Sequence, residues 1–321
     1  MDIVCLGEVL IDMFPAEIGV KLTDVSAFRP KPGGAPANVA VAAARLGAQS
    51  AFIGKVGDDL FGHYLENVLK TEGVNTVGMR YDEEARTTMA IIAKPDENTS
   101  EFVFYRNPGA DTRLKPEEID LKLLQKTKCL HFGSLSLTHE PSRSATIEAV
   151  NLAHASGALI SFDVNYRPSL WKNPHEAYER AMTVVPKVDL LKVNEIELVM
   201  LGGSDDLEKA AKSLLQHGPD LIVVTLGPEG SFFLTADGSK FVKGFKVKTV
   251  DATGCGDAFI AGLLCQIVGG DNWRDNLSPE KLPTALRYAN AVGALTSQYL
   301  GVIPALPTAE RVNTFLNQIY L

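Results

Sequence analysis

Residues 251–268, DATGCGDAFIAGLLCQIV, join a glycine-rich turn to an apolar segment that is typical of a helix buried by its neighbours. Four interpretations of the turn are open: a phosphate site, a dinucleotide loop, a reactive-thiol site, or a flexible turn before a helix. The first backbone N–H groups of a helix are unpaired, and the helix dipole favours negative charge there. Gly254 and Gly256 would let an anion approach those groups closely, which favours a phosphate site.

Asp257 is an unexpected residue for a pure anion site, because its carboxylate would repel phosphate. Its presence is explained if it takes a proton from a nucleophile beside the phosphate. A plain helix-capping role explains it as well. Spacing weakens two competing interpretations: the Walker pattern is absent, and the G-x-G-x-x-G pattern fails because Phe259 lies three residues after Gly256.

Outward from this turn, short apolar runs alternate with helical patterns along most of the chain. The predicted strands are residues 2–7, 51–56, 89–93, 129–133, 159–164, 189–193 and 221–225. The predicted helices are residues 36–46, 58–71, 141–156, 174–184, 204–216, 257–268, 280–299 and 308–319. Most of the runs are continuous rather than alternating, as in parallel strands buried on both faces. The order predicts an α/β fold with a doubly wound, mostly parallel sheet.

Composition limits the classes of protein. The 321 residues are 45% hydrophobic and 22% charged, with a net charge of −8, and they predict one domain spanning residues 1–321. The sequence contains no dense run of Lys and Arg, so we do not expect a nucleic-acid partner. The N-terminus has no basic leader, and no apolar run is long enough for a membrane span. Four scattered cysteines without C-x-x-C argue against disulfides or zinc and favour the cytoplasm.

Two segments interrupt the alternation. Residues 12–32 carry no clear helix, and residues 87–105 contain two apolar strands, TTMAIIAK and EFVFYR, separated by the polar turn PDENTS at 95–100. Strands joined by a short polar turn predict a hairpin. Such a hairpin could form an edge, a dimer contact or a lid.

Polar residues near predicted strand ends form further candidate sites. In PGGAPANVAVAAARLG, residues 32–47, Gly33 and Gly34 either approach a ligand or form a simple turn, and Asn38 is either a ligand contact or a local cap. In FDVNYRPSLW, the alternating residues Asp163, Asn165 and Arg167 follow a strand. The carboxyl ends of strands are where open α/β sheets bind ligands, although a polar surface loop explains this stretch too.

Two later predicted strands also end in polar residues that could contact a ligand. LLKVNEIEL places Asn194 and Glu197 where an apolar strand gives way to a helix, and oxygen ligands there could hold Mg²⁺ through water. VVTLGPEG ends a strand in a turn beside which a nucleotide ribose could lie, although a plain turn explains it nearly as well.

Together these stretches resemble the ribokinase-like sugar kinases, the PfkB family, over nearly the whole chain. The amino-terminal motif matches from Gly33 through Asn38 and Gly47 to Gly57. The carboxyl-terminal motif matches at Asp251, Gly254, Gly256, Asp257, Ala261 and Gly262. It departs at Ala252, where Ser, Thr, Val or Pro is usual, and at Cys255, where Ala, Gly or Ser is usual.

The resemblance implies a role for each candidate residue. Asp257 corresponds to the catalytic base, and the backbone N–H groups of Gly254, Cys255, Gly256 and Asp257 to the anion hole for the transferred phosphoryl group. The implied sugar contacts are Asp12, Gly33, Gly34, Asn38, Arg106, Asp163, Asn165 and Arg167. The implied nucleotide contacts are Asn194, Thr225, Gly227, Gly230 and Asn290. Glu197 would hold Mg²⁺ through water, and the backbone of Asp251 and Thr253 a monovalent cation such as K⁺.

Within the family, GEVLID, GGAPAN, FYRNPGAD and FDVNYRPSLW look most like fructokinases of the plant and bacterial type. This implies ATP-dependent phosphorylation of D-fructose at its terminal hydroxymethyl group. The alternative is 2-keto-3-deoxygluconate or another acceptor of PfkB-type sugar and ribosyl kinases. The resemblance also implies a lid built from residues of about 12–32 and 87–112. The exposed edge of such a lid predicts a homodimer.

Cys255 carries a separate expectation. A thiol at a helix N-terminus has a lowered pKa where solvent reaches it. We therefore expect alkylating reagents to inactivate the free protein, and Mg·ATP to protect it.

Overall fold

The structure, a computed structural model, describes residues 1–17, 19–93, 101–270 and 272–318. The turn predicted at 95–100 lies outside these residues. The strands are β1 Ile3–Leu6, β2 Leu10–Pro15, β3 Phe28–Gly33, β4 Ser50–Gly57, β5 Asn75–Asp82, β6 Met89–Ala93, β7 Glu101–Tyr105, β8 Cys129–Gly133, β9 Leu159–Asp163, β10 Leu190–Asn194, β11 Leu221–Thr225, β12 Gly230–Thr235 and β13 Gly238–Lys243. The helices are α1 Ala35–Arg45, α2 Leu60–Thr71, α3 Leu121–Leu124, α4 Ser142–Ala155, α5 Pro174–Val184, α6 Glu195–Gly202, α7 Leu207–Leu215, α8 Cys255–Ile267, α9 Leu282–Thr296 and α10 Ala309–Gln318.

The large sheet has nine strands in the order β13-β12-β11-β10-β9-β8-β1-β4-β5. The seven strands from β11 to β5 are all parallel, and β12 and β13 add an antiparallel hairpin at one edge. Continuous apolar sequences such as IVCL in β1 are buried throughout, because helices cover both faces. The predicted α/β fold with a doubly wound, mostly parallel sheet is therefore confirmed.

Two apolar clusters fill the space between the sheet and its helices. One contains side chains of α1, α2, α8, α9 and α10, and the other contains side chains of α3 to α7. In α8 nine of the residues from Asp257 to Ile267 are buried, because neighbouring helices cover almost its whole surface. The alanines of α1 keep that helix close to α8, so the N-termini of both helices reach the same edge of the sheet.

A second sheet, the small sheet, contains four strands in the order β3-β2-β6-β7. Its strands come from two segments of the chain, residues 10–33 and 89–105. The predicted pair of strands in 87–105 is present as β6 and β7. Strands β2 and β3, in the region predicted only to lack a clear helix, were missed. The two prolines of FRPKPG argue against a strand in the sequence pattern, so β3 was not predicted. In the structure β3 lies at the edge of the small sheet, where proline is tolerated.

The parallel strands β9, β10 and β11 end side by side in Asp163, Asn194 and Thr225. Their register pairs Asp163 with Lys192 and Asn194 with Thr225. Predicted site residues from three distant parts of the sequence thus meet at one sheet edge, as expected for an open α/β sheet. In the part of the chain that the structure describes, no helix is long and apolar enough to span a membrane.

Candidate active site

The glycine-rich turn at 251–256 leads directly into α8. Gly254 is the N-cap residue with a φ of 75°, and a Cβ there would overlap the side chain of Val302. A glycine is therefore required on both conformational and steric grounds. The first helical hydrogen bond runs from the N–H of Ala258 to the carbonyl of Gly254. The amides that precede Ala258 stand at the positive end of the helix dipole.

Two cavities meet at this turn. The first, here called the apolar cavity, lies between β11, β12, α8 and α9, and Phe245, Phe259 and Ala294 are among its lining residues. The second, the polar cavity, lies beneath the small sheet, and Asp12, Asn38, Asn165, Arg167 and Asp257 are among its lining residues. The residues that line both cavities are Thr225, Ala252 and Gly256. The N-terminus of α8 is thus the boundary across which a group could pass from one ligand to another.

Asp257 lies on the polar side of that boundary. Its side chain is buried, and its Oδ2 accepts a hydrogen bond of 2.8 Å from Nδ2 of Asn38. Burial, with the charge of Asp163, raises the pKa of Asp257 to about 6, although the Asn38 hydrogen bond and the cations Lys192 and Arg167 oppose the increase. A carboxylate with this pKa is ionised at neutral pH and is basic enough to accept a proton.

Lys192 is a functional candidate that the sequence interpretation missed. Its Nζ lies 2.8 Å from Oδ2 of Asp163, and both side chains are buried. A Cβ built on Gly256 would lie 3.2 Å from this Nζ, so the ammonium sits directly below the glycine turn. Burial acts to lower the pKa of Lys192, but the charges of Asp163 and Glu197 outweigh it and raise the pKa. A charged lysine inside the apolar strand LLKVN was the available sequence signal.

Asp163 and Arg106, both predicted to contact sugar, make contacts within the protein, and their contact with sugar stays a prediction. Neither lines the polar cavity. Asp163 holds Lys192 instead, because a buried ammonium needs an opposite charge. Arg106 is buried, and it donates from Nε to Asp111 at 2.7 Å and from a terminal nitrogen to the Leu135 carbonyl at 3.0 Å. Since Leu135 lines the polar cavity, Arg106 positions the wall rather than forming it.

Asn165 and Arg167, which follow Asp163 in the same predicted set, do line the polar cavity. Asn165 has a φ of 42°, in the left-handed region, and its N–H is held by Oδ1 of Asp163 at 3.2 Å. Arg167 lowers the pKa values of Asp12 and Asp257 through its charge. It therefore supplies positive charge to a cavity that several carboxylates surround.

Asp12 and Gly34 belong to the wall that the small sheet contributes. Burial and the charge of Asp257 raise the pKa of Asp12 to about 7, while Arg167 opposes the increase. Gly34 has a φ of 103°, and a Cβ there would lie 2.5 Å from the carbonyl oxygen of Glu8. Gly33 does not line the cavity, because it packs behind Asp12 where a Cβ would overlap the carboxylate. Gly33 thus leaves room for the carboxylate of Asp12, and its own contact with sugar stays a prediction.

Asn194 and Glu197 form the start of α6. Oδ1 of Asn194 accepts from the N–H of Glu197, and Oε2 of Glu197 accepts from the N–H of Asn194, in a reciprocal capping box. Oε1 of Glu197 accepts from the N–H of Tyr166 at 2.7 Å. Asn194 lines the polar cavity, whereas Glu197 is buried behind it. Glu197 braces two loops of the site, and its part in holding Mg²⁺ through water stays a prediction.

The residues predicted to contact nucleotide line the apolar cavity, with one exception. Thr225, Gly227, Gly230 and Asn290 are among its lining residues, whereas Asn194 lies on the polar side. Gly230 has a φ of 123°, and a Cβ there would overlap the carbonyl of Val242. Nδ2 of Asn290 donates to the same carbonyl at 3.1 Å. One peptide group thus fixes two parts of the cavity wall.

The expectation of a lowered pKa for Cys255 is wrong. Burial, reinforced by the charges of Asp251 and Asp257, raises the pKa of its thiol to about 12. The helix dipole is outweighed because two carboxylates and a low-polarity surrounding all disfavour a thiolate. Cys255 lines the apolar cavity as a neutral thiol, so its reaction with alkylating reagents should be slow.

Asp251 ties the glycine turn to the segment after α9. Its Oδ1 accepts from the hydroxyl of Thr253 at 2.7 Å, and its Oδ2 accepts from the N–H of Gly301 at 3.1 Å. The N–H groups of Val250 and Asp251 both donate to the carbonyl of Ser297. The turn whose backbone at Asp251 and Thr253 was predicted to bind a monovalent cation therefore lies against residues 297–301, and cation binding there stays a prediction.

The fold and this pair of adjoining cavities define a ribokinase-like kinase architecture. A fructokinase from Xylella fastidiosa with bound ATP superimposes with a TM-score of 0.91 at 32% identity, over 100% of this chain and 99% of that chain. A double mutant of the Vibrio cholerae fructokinase, in its fructose, ADP and potassium ion bound form, gives 0.89 at 33% identity over 98% of each chain.

The sequence comparisons give the family. The model of the pfkB family carbohydrate kinases matches residues 1–309, and the chain belongs to this family. It is 46% identical to the probable fructokinase-6, chloroplastic, of Arabidopsis thaliana over 316 residues, which are 98% of this chain and 82% of the plant protein. The predicted family is confirmed.

Proposed function

We propose that this protein is an ATP-dependent fructokinase, which transfers the γ-phosphoryl group of ATP to the terminal hydroxymethyl group of D-fructose and releases ADP. One observation carries the proposal: Asp257 and the amides at the start of α8 stand where the polar and apolar cavities meet. The relatives described above are named fructokinases, which favours fructose over the alternative acceptor, 2-keto-3-deoxygluconate.

In the proposed reaction ATP occupies the apolar cavity, with its γ-phosphate at the first amides of α8. Asp257 takes the proton of the sugar hydroxyl as the hydroxyl oxygen attacks γ-phosphorus, and the bond between phosphorus and the β–γ bridging oxygen breaks to leave ADP. The amides of Gly256 and Asp257, together with the ammonium of Lys192, would stabilise charge on the transferred group. The product is fructose 6-phosphate.

The donor set fits a magnesium ion held mainly by ATP. Among the described residues no group of three or more His, Cys, Asp and Glu side chains could hold a metal. Mg²⁺ usually keeps several waters and binds through one or two carboxylates plus substrate phosphates. Glu197 and Asn194, beside the polar cavity, would orient those waters. When bound, the ion would neutralise phosphate charge during transfer.

We propose further that the small sheet, with the adjoining residues up to 112, acts as a lid on one domain spanning residues 1–321. A closed lid would exclude water, which otherwise competes with the sugar for the phosphoryl group. The edge strand β7 carries two exposed apolar side chains, Val103 and Tyr105, which supports a homodimer formed through this sheet. Because all four cysteines are free, we propose the reducing cytoplasm as the compartment.

A sugar panel tests the proposal. The protein is supplied with ATP, Mg²⁺ and one acceptor at a time, and ADP release is measured with fructose, 2-keto-3-deoxygluconate, ribose and glucose. We expect fructose to give the highest kcat/KM. Turnover of 2-keto-3-deoxygluconate without turnover of fructose would reverse the assignment, and ADP release that needs no sugar would contradict it.

A further inference from the structure

Glu8 occupies an unusual position between the two sheets. It lies in the short link from β1, in the large sheet, to β2, in the small sheet. Its side chain is only 3% exposed, and it is one of the residues that line the polar cavity. Neither the sequence motifs nor the proposed reaction gives this carboxyl group a role.

One oxygen of Glu8 has a clear structural function. Oε1 accepts a hydrogen bond of 2.9 Å from the N–H of Ala35, the first residue of α1. The chain leaves the small sheet and enters α1 at Gly34, which packs against the backbone of Glu8. This bond therefore joins the outgoing and returning connections, and it orients the first turn of the helix that carries Asn38.

The other oxygen has no such function. Within the described residues Oε2 is buried and has no hydrogen-bond partner. Oδ1 of Asn38, another residue that lines this cavity, is also buried and has no hydrogen-bond partner among the described residues. A buried oxygen without a partner costs free energy, so native structures rarely keep one unless a ligand or water completes it. Glu8 and Asn38 are both among the residues that line the polar cavity, and two unpartnered acceptors in its wall indicate a ligand with several hydroxyl donors.

The carboxyl group of Glu8 has one acidic and one basic neighbour, whose effects on its pKa oppose each other. Burial and the charge of Asp111 raise its pKa to about 7, while hydrogen bonding from the backbone N–H groups of Glu8 itself and of Ala35, and the charge of Arg106, oppose this. Asp111 is itself held by Arg106 and by the hydroxyl of Thr88. A hydroxyl that donates to Oε2 would favour the ionised carboxylate further, because it stabilises the charged form.

We propose that Glu8 is a specificity-determining residue of the acceptor site, whose Oε2 accepts a hydrogen bond from a hydroxyl group of the sugar other than the one phosphorylated. The inference rests on the proposed function, since it takes the polar cavity to be the sugar site. It adds a hydrogen-bond acceptor to the part of the cavity wall that the link between β1 and β2 forms. A polar site built in this way discriminates against analogues that lack the hydroxyl it binds.

The test uses Glu8→Gln, because the amide oxygen can keep the bond from Ala35 while an NH₂ donor replaces Oε2. We expect kcat/KM for fructose to fall about 10-fold, as for a lost hydrogen bond to a charged group, with the KM for ATP within about twofold of wild type. The matched control is Asp189→Asn, a buried carboxyl that accepts from the N–H of Ile160 and lines neither cavity. Its kinetic constants should not change.

Deoxyfructose analogues identify the hydroxyl that is bound. Each analogue lacks one hydroxyl, and for one of them the wild type and Glu8→Gln should have the same kcat/KM within about twofold, because the partner is already gone. The inference is overturned if Glu8→Gln matches wild type with fructose, or if its defect is equal with every analogue. A wild type that phosphorylates no sugar would instead reject the proposed function.

A crystal structure with fructose is a second measurement that does not depend on the variant. We expect a fructose oxygen within about 3.2 Å of Oε2. A bound fructose with no oxygen within about 3.5 Å of Oε2 would overturn the inference, whatever the kinetics.

Discussion

The two cavities that meet at α8 are built in opposite ways. The polar cavity is surrounded by buried ionisable side chains, and burial raises the pKa values of Glu8, Asp12 and Asp257. The apolar cavity is formed largely by glycines, small side chains and two aromatic rings. One half of the site thus holds charge at an energetic cost, whereas the other half relies on shape and main-chain groups.

The contrast indicates that the groups for proton transfer lie in the polar cavity, whereas the apolar cavity contributes mainly to binding. A buried carboxylate is unfavourable for stability, but a base with a raised pKa is useful for proton transfer. The apolar cavity, which we propose holds the nucleotide, supplies no ionisable group to the proposed transfer, so its residues can be selected for packing alone. Variants on the polar side should therefore change kcat or sugar selectivity, and variants on the apolar side should change the KM for ATP.

The largest expected effect comes from removing the base. Asp257→Asn keeps the bond with Asn38 but cannot take a proton, and kcat should fall at least about 100-fold. Binding of ATP, measured by calorimetry, should be nearly unchanged. The exposed Asp237→Asn in the β12–β13 turn serves as the control. Near-normal turnover by Asp257→Asn would remove this residue from the mechanism.

A smaller fall in kcat is expected when Lys192 is replaced. Lys192→Met leaves Asp163 as an unpaired buried charge, which should cost about 3–5 kcal/mol of unfolding free energy. The double variant Lys192→Met/Asp163→Asn should recover most of that stability in thermal unfolding. Its kcat should stay about 10-fold to 100-fold low, because the ammonium below the glycine turn is still missing. If the double variant regained full kcat, the role of Lys192 would be purely structural.

On the apolar side, Ala294→Phe would place a ring in the cavity that Ala294 lines. The KM for ATP should rise about 10-fold, since overpacking costs about 1–3 kcal/mol, and the KM for fructose should stay within about twofold. Thr284→Phe introduces the same side chain at an exposed site on the same helix and should leave both values alone. Equal increases in both KM values for Ala294→Phe would show that the cavities are not separable.

The smallest effect is a gain in stability. The pKa of Asp257 is raised from 3.8 to about 6, so the folded state binds its proton more tightly than the unfolded state. The stabilisation from that proton is complete below pH 3.8 and is lost as the pH rises through 6. Asp257→Asn should therefore melt a few degrees above wild type at pH 8, with a smaller gain at pH 5. An equal shift at both pH values would contradict the raised pKa.

The predictable parts of the fold and the site share a local sequence signal. Continuous apolar strands identified the parallel sheet, and Gly254, Gly256 and Asp257 identified the helix start, because each depends on neighbours within a few residues. Asn38 could be expected near Asp257 only through the family resemblance. Their contact spans 219 positions, and no local pattern encodes it.

The sequence was least informative where a long-range partner decides what a residue does. Arg106 was predicted to contact sugar, and no local pattern showed that its guanidinium binds Asp111 and the Leu135 carbonyl. The thiol of Cys255 was judged from the helix dipole alone, whereas burial and two carboxylates determine its pKa. Lys192 was overlooked because its partner, Asp163, lies in the preceding strand of the sequence. Burial and ion pairing cannot be inferred from the residue type.

The small sheet has a consequence for how such enzymes diversify. Its strands come from two excursions of the chain, residues 10–33 and 89–105, and none of the residues that the structure describes in these excursions lines the apolar cavity. Recombination or drift confined to these excursions can change the wall of the polar cavity while the apolar cavity is inherited unchanged. A chimaera that exchanges both excursions together is thus a natural unit for redesigning acceptor preference.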